Sequence, residues 1–175
     1  NNARPVWSID GRSLAYIATT DTGATIFVQD IFNDQGSFIT PRARPVAFER
    51  NGITHLSATR GIGVQDLLAY TIVDTDTLRI IEWSGAEPLE FEQRLPQITG
   101  VSLRTNIGME WIPNTTNFAY TSFPGRFDIQ FSSGTDYRSP DMSAYSPTFS
   151  NSGGYYAFIS NIQHPSGNFP NLWLY

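Results

Sequence analysis

The sequence predicts an all-β chain of short antiparallel strands, repeated along its length. Three observations predict it. Aromatic residues make up 14% of the 175 positions and charged residues only 15%, with 14 Gly and 11 Pro to supply reversals; that composition suits pleated strands and turns. No window keeps the 3.6-residue apolar period of a helix for three turns. A short hydrophobic hairpin recurs at matching offsets, the signature of a repeat architecture.

The first copy is Trp7-Ser8-Ile9-Asp10-Gly11-Arg12-Ser13-Leu14-Ala15-Tyr16-Ile17. An aromatic opens it, Asp-Gly reverses the chain, and an Ala-aromatic pair sits on the return strand. Asp and Gly suit such a reversal because they tolerate positive φ. Trp111, the turn Pro113-Asn114-Thr115 and Ala119-Tyr120 repeat the arrangement, as do Phe149, Gly153 and Ala157-Phe158. A degenerate copy carries Ala69-Tyr70 in the run Leu67–Ile72, with Gly61 expected in the aromatic slot.

A third apolar strand follows each pair: Ile26-Phe27-Val28, Ile80-Ile81, Ile129 and Leu172-Trp173-Leu174. In the last copy the loop Gln163–Asn168 comes before it. A second turn at Ser84–Pro88 leads to an outer strand, Leu89–Glu92, whose alternating charges suit an exposed edge. The anchor alanines 15, 69, 119 and 157 lie 54, 50 and 38 residues apart, which brackets the length of a β-propeller blade. The expectation is a β-propeller of four-stranded antiparallel blades forming a partial ring, one region over 1–175. Its four blades fall near 1–40, 53–94, 106–140 and 145–175, and the intervals 100–108 and 131–145 fit no blade strand. The alanine is small where blades approach face to face, and the aromatic fills the space between them.

At these residues the chain resembles the TolB-type, WD40-like propeller repeat, which reads W-S-P-D-G followed by an apolar-Ala-aromatic strand. Trp7–Ile17 is the near copy, with Ile9 where the repeat has Pro. Phe149–Gly153 is looser, and Trp111–Asn114 keeps Trp and Pro without the Gly. Ile80–Leu89 is similar to the family's third strand and the turn into its fourth. Family rings close with six to eight blades, so the resemblance implies a longer chain, a partner that supplies the rest, or four blades in an unusual arrangement.

Composition narrows the function. The formal charge is −5 and all 11 basic residues are Arg, scattered along the chain; such a chain is a poor ligand for a polyanion, so no nucleic-acid partner is expected. Cysteine is absent, which excludes disulfides, thiolate metal sites and a Cys nucleophile. No apolar window reaches transmembrane length, and Asn1–Pro5 carries no apolar signal-peptide core, so a leader is expected to be absent or removed. Abundant Ser, Thr, Asn and Gly with no Lys point to an extracytoplasmic protein, whether periplasmic, secreted or on the cell surface.

No catalytic residue, cofactor or metal site is expected. Asp10-Gly11 departs from the sialidase Asp-box, in which one residue separates the two, and reads as a tight turn. Asp74 and Asp76 form a D-x-D pair but lack the Gly and the terminal Glu of a calcium loop; they read as a polar hairpin loop, like Asp21-Thr22-Gly23. His55 is expected on a strand surface and His164 in an exposed loop, and two histidines cannot build a three-ligand zinc site. No G-x-S-x-G elbow holds a serine nucleophile.

The aromatics beside turns carry the functional expectation. Phe123, Arg126 and Phe127 in Phe-Pro-Gly-Arg-Phe, and Tyr155 in Tyr155-Tyr156, are candidate interaction residues, since rim loops carry recognition and Tyr, Phe and Arg anchor interfaces. The reading is a non-enzymatic binding or scaffold module in the cell envelope, taking a protein partner within a larger assembly. The alternatives are the propeller of a larger enzyme, either a prolyl-oligopeptidase-type peptidase or a polysaccharide-processing enzyme, and a structural subunit of a surface assembly.

Overall fold

A computed structural model describes residues 4–73, 77–83, 91–94, 109–122, 128–131, 144–164 and 167–174. Among them there is no helix, and the strands form four small antiparallel sheets, none closed on itself. The first sheet holds β1 (Val6–Trp7), β2 (Ser13–Thr20), β3 (Gly23–Asp30) and β4 (Ala43–Glu49) in sequential order. The second holds β5 (Ile53–Ala58), β6 (Leu67–Ile72), β7 (Thr77–Glu82) and β8 (Phe91–Arg94). The third holds β9 (Met109–Trp111), β10 (Phe118–Ser122) and β11 (Asp128–Phe131). The fourth holds β12 (Tyr145–Phe149), β13 (Tyr156–His164) and β14 (Gly167–Leu174).

The repeat has a register. Trp7 lies opposite Leu14, Trp111 opposite Phe118 and Phe149 opposite Tyr156, so the three aromatics hold one place in three sheets. Their turns match as well. Gly11, Thr115 and Gly153 each donate a backbone N–H to the carbonyl three residues back, at 2.9–3.2 Å. Gly11 and Gly153 take positive φ; in the third sheet Asn114 takes it instead, at 63°. Pro113 before Asn114 fits a turn whose third position is left-handed, which frees the fourth for Thr115.

The second sheet corrects the expected alignment. Ala58, not Gly61, stands opposite Leu68 in the aromatic place. The hairpin there is three residues longer, so a fixed offset from Ala69 lands in the loop. In the first, second and fourth sheets a hydroxyl follows this place. Ser8 and Ser150 accept the N–H of the returning strand, from Ser13 at 2.9 Å and Tyr155 at 3.2 Å. Thr59 does the same for Leu67 at 2.8 Å.

The outer strand expected at Leu89–Glu92 overlaps β8 at Phe91 and Glu92; Leu89, Glu90 and the expected turn at Ser84–Pro88 lie outside the described residues. His164 closes strand β13 instead of lying in a loop, because β13 and β14 pair out to His164 opposite Gly167.

Alternation along each strand sends neighbouring side chains to opposite faces, and this orders the core. Ala15, Ile26 and Val28 of the first sheet are buried with Leu56, Leu68 and Tyr70 of the second. Ala69, Leu78 and Ile80 on the other face of the second are buried with Trp111, Phe118 and Tyr120 of the third. Ala119 and Ile129 of the third are buried with Phe149, Tyr156 and Phe158 of the fourth. Each layer thus joins the alanine face of one sheet to the aromatic face of the next. In the first layer, where Ala58 replaces the aromatic, Tyr70 and Trp83 supply the rings. The first strands follow one another, β1 near β5, β5 near β9 and β9 near β12.

Candidate interaction rim

The reversals between first and second strands come together at one end of the sheets. Asp10 shapes the first of them: its carboxylate accepts the Ser8 hydroxyl at 2.6 Å and the Arg12 N–H at 3.0 Å. The Ser8 bond first, then the Arg12 backbone, holds Asp10 below the usual carboxylate range. The Arg12 guanidinium reaches Asp34 at 2.6 Å, on the segment linking β3 to β4. That segment is a small hairpin of its own. Phe32 bridges Phe38, with rings edge to face at 6.3 Å, and the Asn33 side chain accepts the N–H groups of Gln35 and Ser37.

The long loop of the second sheet ties the rim together. On one side the Ile9 N–H donates to Asp66 at 3.3 Å. Burial pushes the Asp66 carboxyl up. On the other side the Asn114 N–H donates to the Arg60 carbonyl at 2.8 Å, and Ile62 N–H to the Asn114 side chain at 3.1 Å. Arg60 also pairs with Glu110, and partial burial lowers its guanidinium pKa. The third turn then meets the fourth, where a side chain on Gly153 would lie 3.1 Å from the Pro113 carbonyl.

Apolar side chains project from this frame. Ile62 is 94% exposed, and Phe38 and Tyr155 are exposed large hydrophobics. Contiguous loops on a fixed scaffold with exposed apolar groups beside charges are the chemistry of an interface. Of the candidate residues from sequence, Tyr155 is exposed on this rim; Phe123, Arg126 and Phe127 lie outside the described residues. Tyr156, paired with Tyr155 in the sequence reading, points the other way and is buried, as strand alternation requires. Phe38 and Ile62 escaped the sequence reading. A phenylalanine after the turn formers Asn33–Ser37 is the available signal for Phe38; Ile62 has none, because the offset from Ala69 places Gly61 in the aromatic slot.

Among the described residues no group of three or more His, Asp or Glu could hold a metal. The Asp74–Asp76 pair lies outside them. His55 is not a surface residue: it is half-buried on β5, and its Nε2 donates to the Met109 carbonyl at 2.8 Å across to the third sheet. It serves as a strut between sheets. No helix among the described residues is long and apolar enough to cross a membrane.

No family model matches this chain, and no curated protein is significantly similar to it.

Proposed function

We propose that the four sheets are blades of a partial β-propeller of the TolB-type, WD40-like class, and that the chain is a non-enzymatic extracytoplasmic scaffold whose rim binds a protein partner. One observation carries the reading. The reversals of four consecutive sheets are joined into a single rim by the Ile9–Asp66, Asn114–Arg60 and Pro113–Gly153 approaches, and Phe38, Ile62 and Tyr155 stand out of it.

Two features support the propeller. The first strands lie in sequence beside one another, as strands around an axis do, and every layer repeats the same alanine-to-aromatic contact. The near-identical turns after Trp7 and Phe149 support the TolB-type resemblance. Recognition by such a rim follows from loops held in place by a rigid frame; the placement outside the cytoplasm rests on composition.

A photo-crosslinking residue placed singly at Ile62 and at Tyr155, in cells that express the protein, tests the rim. The expected result is a discrete protein adduct from both positions and none from a control at Asp21, on the turn between β2 and β3. Adducts from the control alone, or none from the rim, would defeat the proposal. Degradation by protease added to intact cells or spheroplasts checks the compartment.

A further inference from the structure

The link between the first and second sheets is three residues long, Arg50–Gly52, from the end of β4 to the start of β5. It carries the one Asn-Gly pair of the sequence, Asn51-Gly52. Asn51 is exposed. A glycine after asparagine lets its backbone nitrogen approach the side-chain amide closely, because no Cβ stands in the way. The nitrogen attacks the Asn51 amide carbon and gives up its proton, ammonia leaves, and a five-membered imide closes. Water then opens the imide at one of its two carbonyls. The product is aspartate or an isoaspartyl residue, whose main chain runs through one more carbon.

The fold holds the attacking nitrogen. The Gly52 N–H donates to the Glu49 carbonyl at 3.1 Å, closing a tight turn, and the Val73 N–H donates to the Gly52 carbonyl at 3.0 Å. Gly52 takes φ +88°, and the Val73 Cγ2 lies 3.1 Å from where a Cβ would stand. The nitrogen is thus a bound donor and does not swing onto the amide carbon while these bonds stand. Ring closure waits on local opening of the link.

We propose that Asn51 is a site of spontaneous deamidation whose rate is set by opening of the junction between the first and second sheets. The reactants are the chain's own amide and water. Either product alters the junction. An aspartate at this position puts a negative charge two residues from Glu49, the buried acceptor shared by Tyr70 and Arg79. An isoaspartyl residue lengthens a link whose two ends are fixed in paired strands, Glu49 opposite Ala24 and Ile53 opposite Ile72. The inference rests on this link alone; a rim that takes no partner leaves it standing.

Peptide mapping by mass spectrometry follows the full chain through incubation in warm, mildly alkaline buffer, and an isoaspartyl methyltransferase assay counts the isoaspartyl product. The expected result is progressive conversion at Asn51, while Asn33 and Asn151, followed by Asp34 and Ser152, keep their amides over the same period. In urea that unfolds the chain, conversion at Asn51 is expected to run about tenfold faster or more. Tyr70→Phe removes one bond across the junction. It is expected to raise the rate in native buffer about fivefold and to leave the rate in urea unchanged. Circular dichroism verifies that this variant folds. No conversion at Asn51 in native buffer, equal rates in buffer and urea, or a Tyr70→Phe rate equal to wild type in native buffer would each overturn the inference.

Discussion

The Tyr70 hydroxyl donates to the Glu49 carboxylate at 2.9 Å, across the layer between the first and second sheets. The Arg79 guanidinium meets the same oxygen at 2.6 Å. Glu49 is buried at the end of β4, beside the apolar cluster that joins the two sheets. Burial first, then the Glu49 charge, pushes the Tyr70 phenol far above its ordinary range, so it stays a donor at any physiological pH. Removing the shared acceptor leaves a desolvated hydroxyl and weakens the hold on a cation. Glu49→Ala is expected to cost about 3 kcal/mol, and Tyr70→Phe about 1 kcal/mol, by urea denaturation. Equal, negligible losses in both would show that this polar cluster adds nothing to the layer.

The anchor alanines give a graded test of the stacking order. Ala69 and Ala119 are fully buried against aromatic rings of the next sheet. Ala69→Leu and Ala119→Leu are expected to destabilise by about 1–3 kcal/mol through overpacking. Ala157 is only half-buried, so Ala157→Leu is expected to change stability by less than about 0.5 kcal/mol. Denaturation midpoints of the three variants, taken at low concentration, rank them.

Gly61 takes φ +119°, and a Cβ there would lie 2.6 Å from the Asn114 backbone nitrogen and 2.8 Å from its Cα. Backbone cannot yield as a side-chain tip can. Gly61→Ala is therefore expected to cost about 2–4 kcal/mol and to part the second-sheet loop from the third-sheet turn. Gly63, at φ +75° with no atom near its Cβ position, is expected to lose only about 1 kcal/mol on the same change. Thermal unfolding of the pair separates close approach from backbone conformation.

His55 makes folding pH-dependent. Burial lowers its pKa, outweighing the Met109 carbonyl that favours the charged ring. The unfolded chain therefore binds this proton at higher pH than the folded chain. Stability from this group is complete above about pH 6.5 and falls as the pH drops through the window below it. His55→Gln keeps an N–H donor for Met109 and removes the titration. The variant is expected to show a flatter melting temperature than wild type between pH 7 and pH 5. Asp10, held below 3.8, titrates beneath that window, and Asp66, raised by burial, is common to both proteins. Parallel curves would rule His55 out as the source.

Local chemistry wrote the hairpins into the sequence. An aromatic, a turn former and an Ala-aromatic pair are satisfied within about ten residues, and so Trp7, Trp111 and Phe149 could be aligned by offset. The all-β class and the alternation that buries Ala119 while turning Tyr120 to the other face follow from the same short-range rules. Tertiary structure decided the rest. Loop length is free of local constraint, so the three added residues after Thr59 hid Ala58 in the aromatic place. They also carried Gly61 onto Asn114, 53 positions away. Which sheet covers which face, why His55 is enclosed, and where Ile62 and Phe38 emerge depend on contacts between segments far apart in sequence. A pattern in one segment holds no record of the surface that another will bring to it.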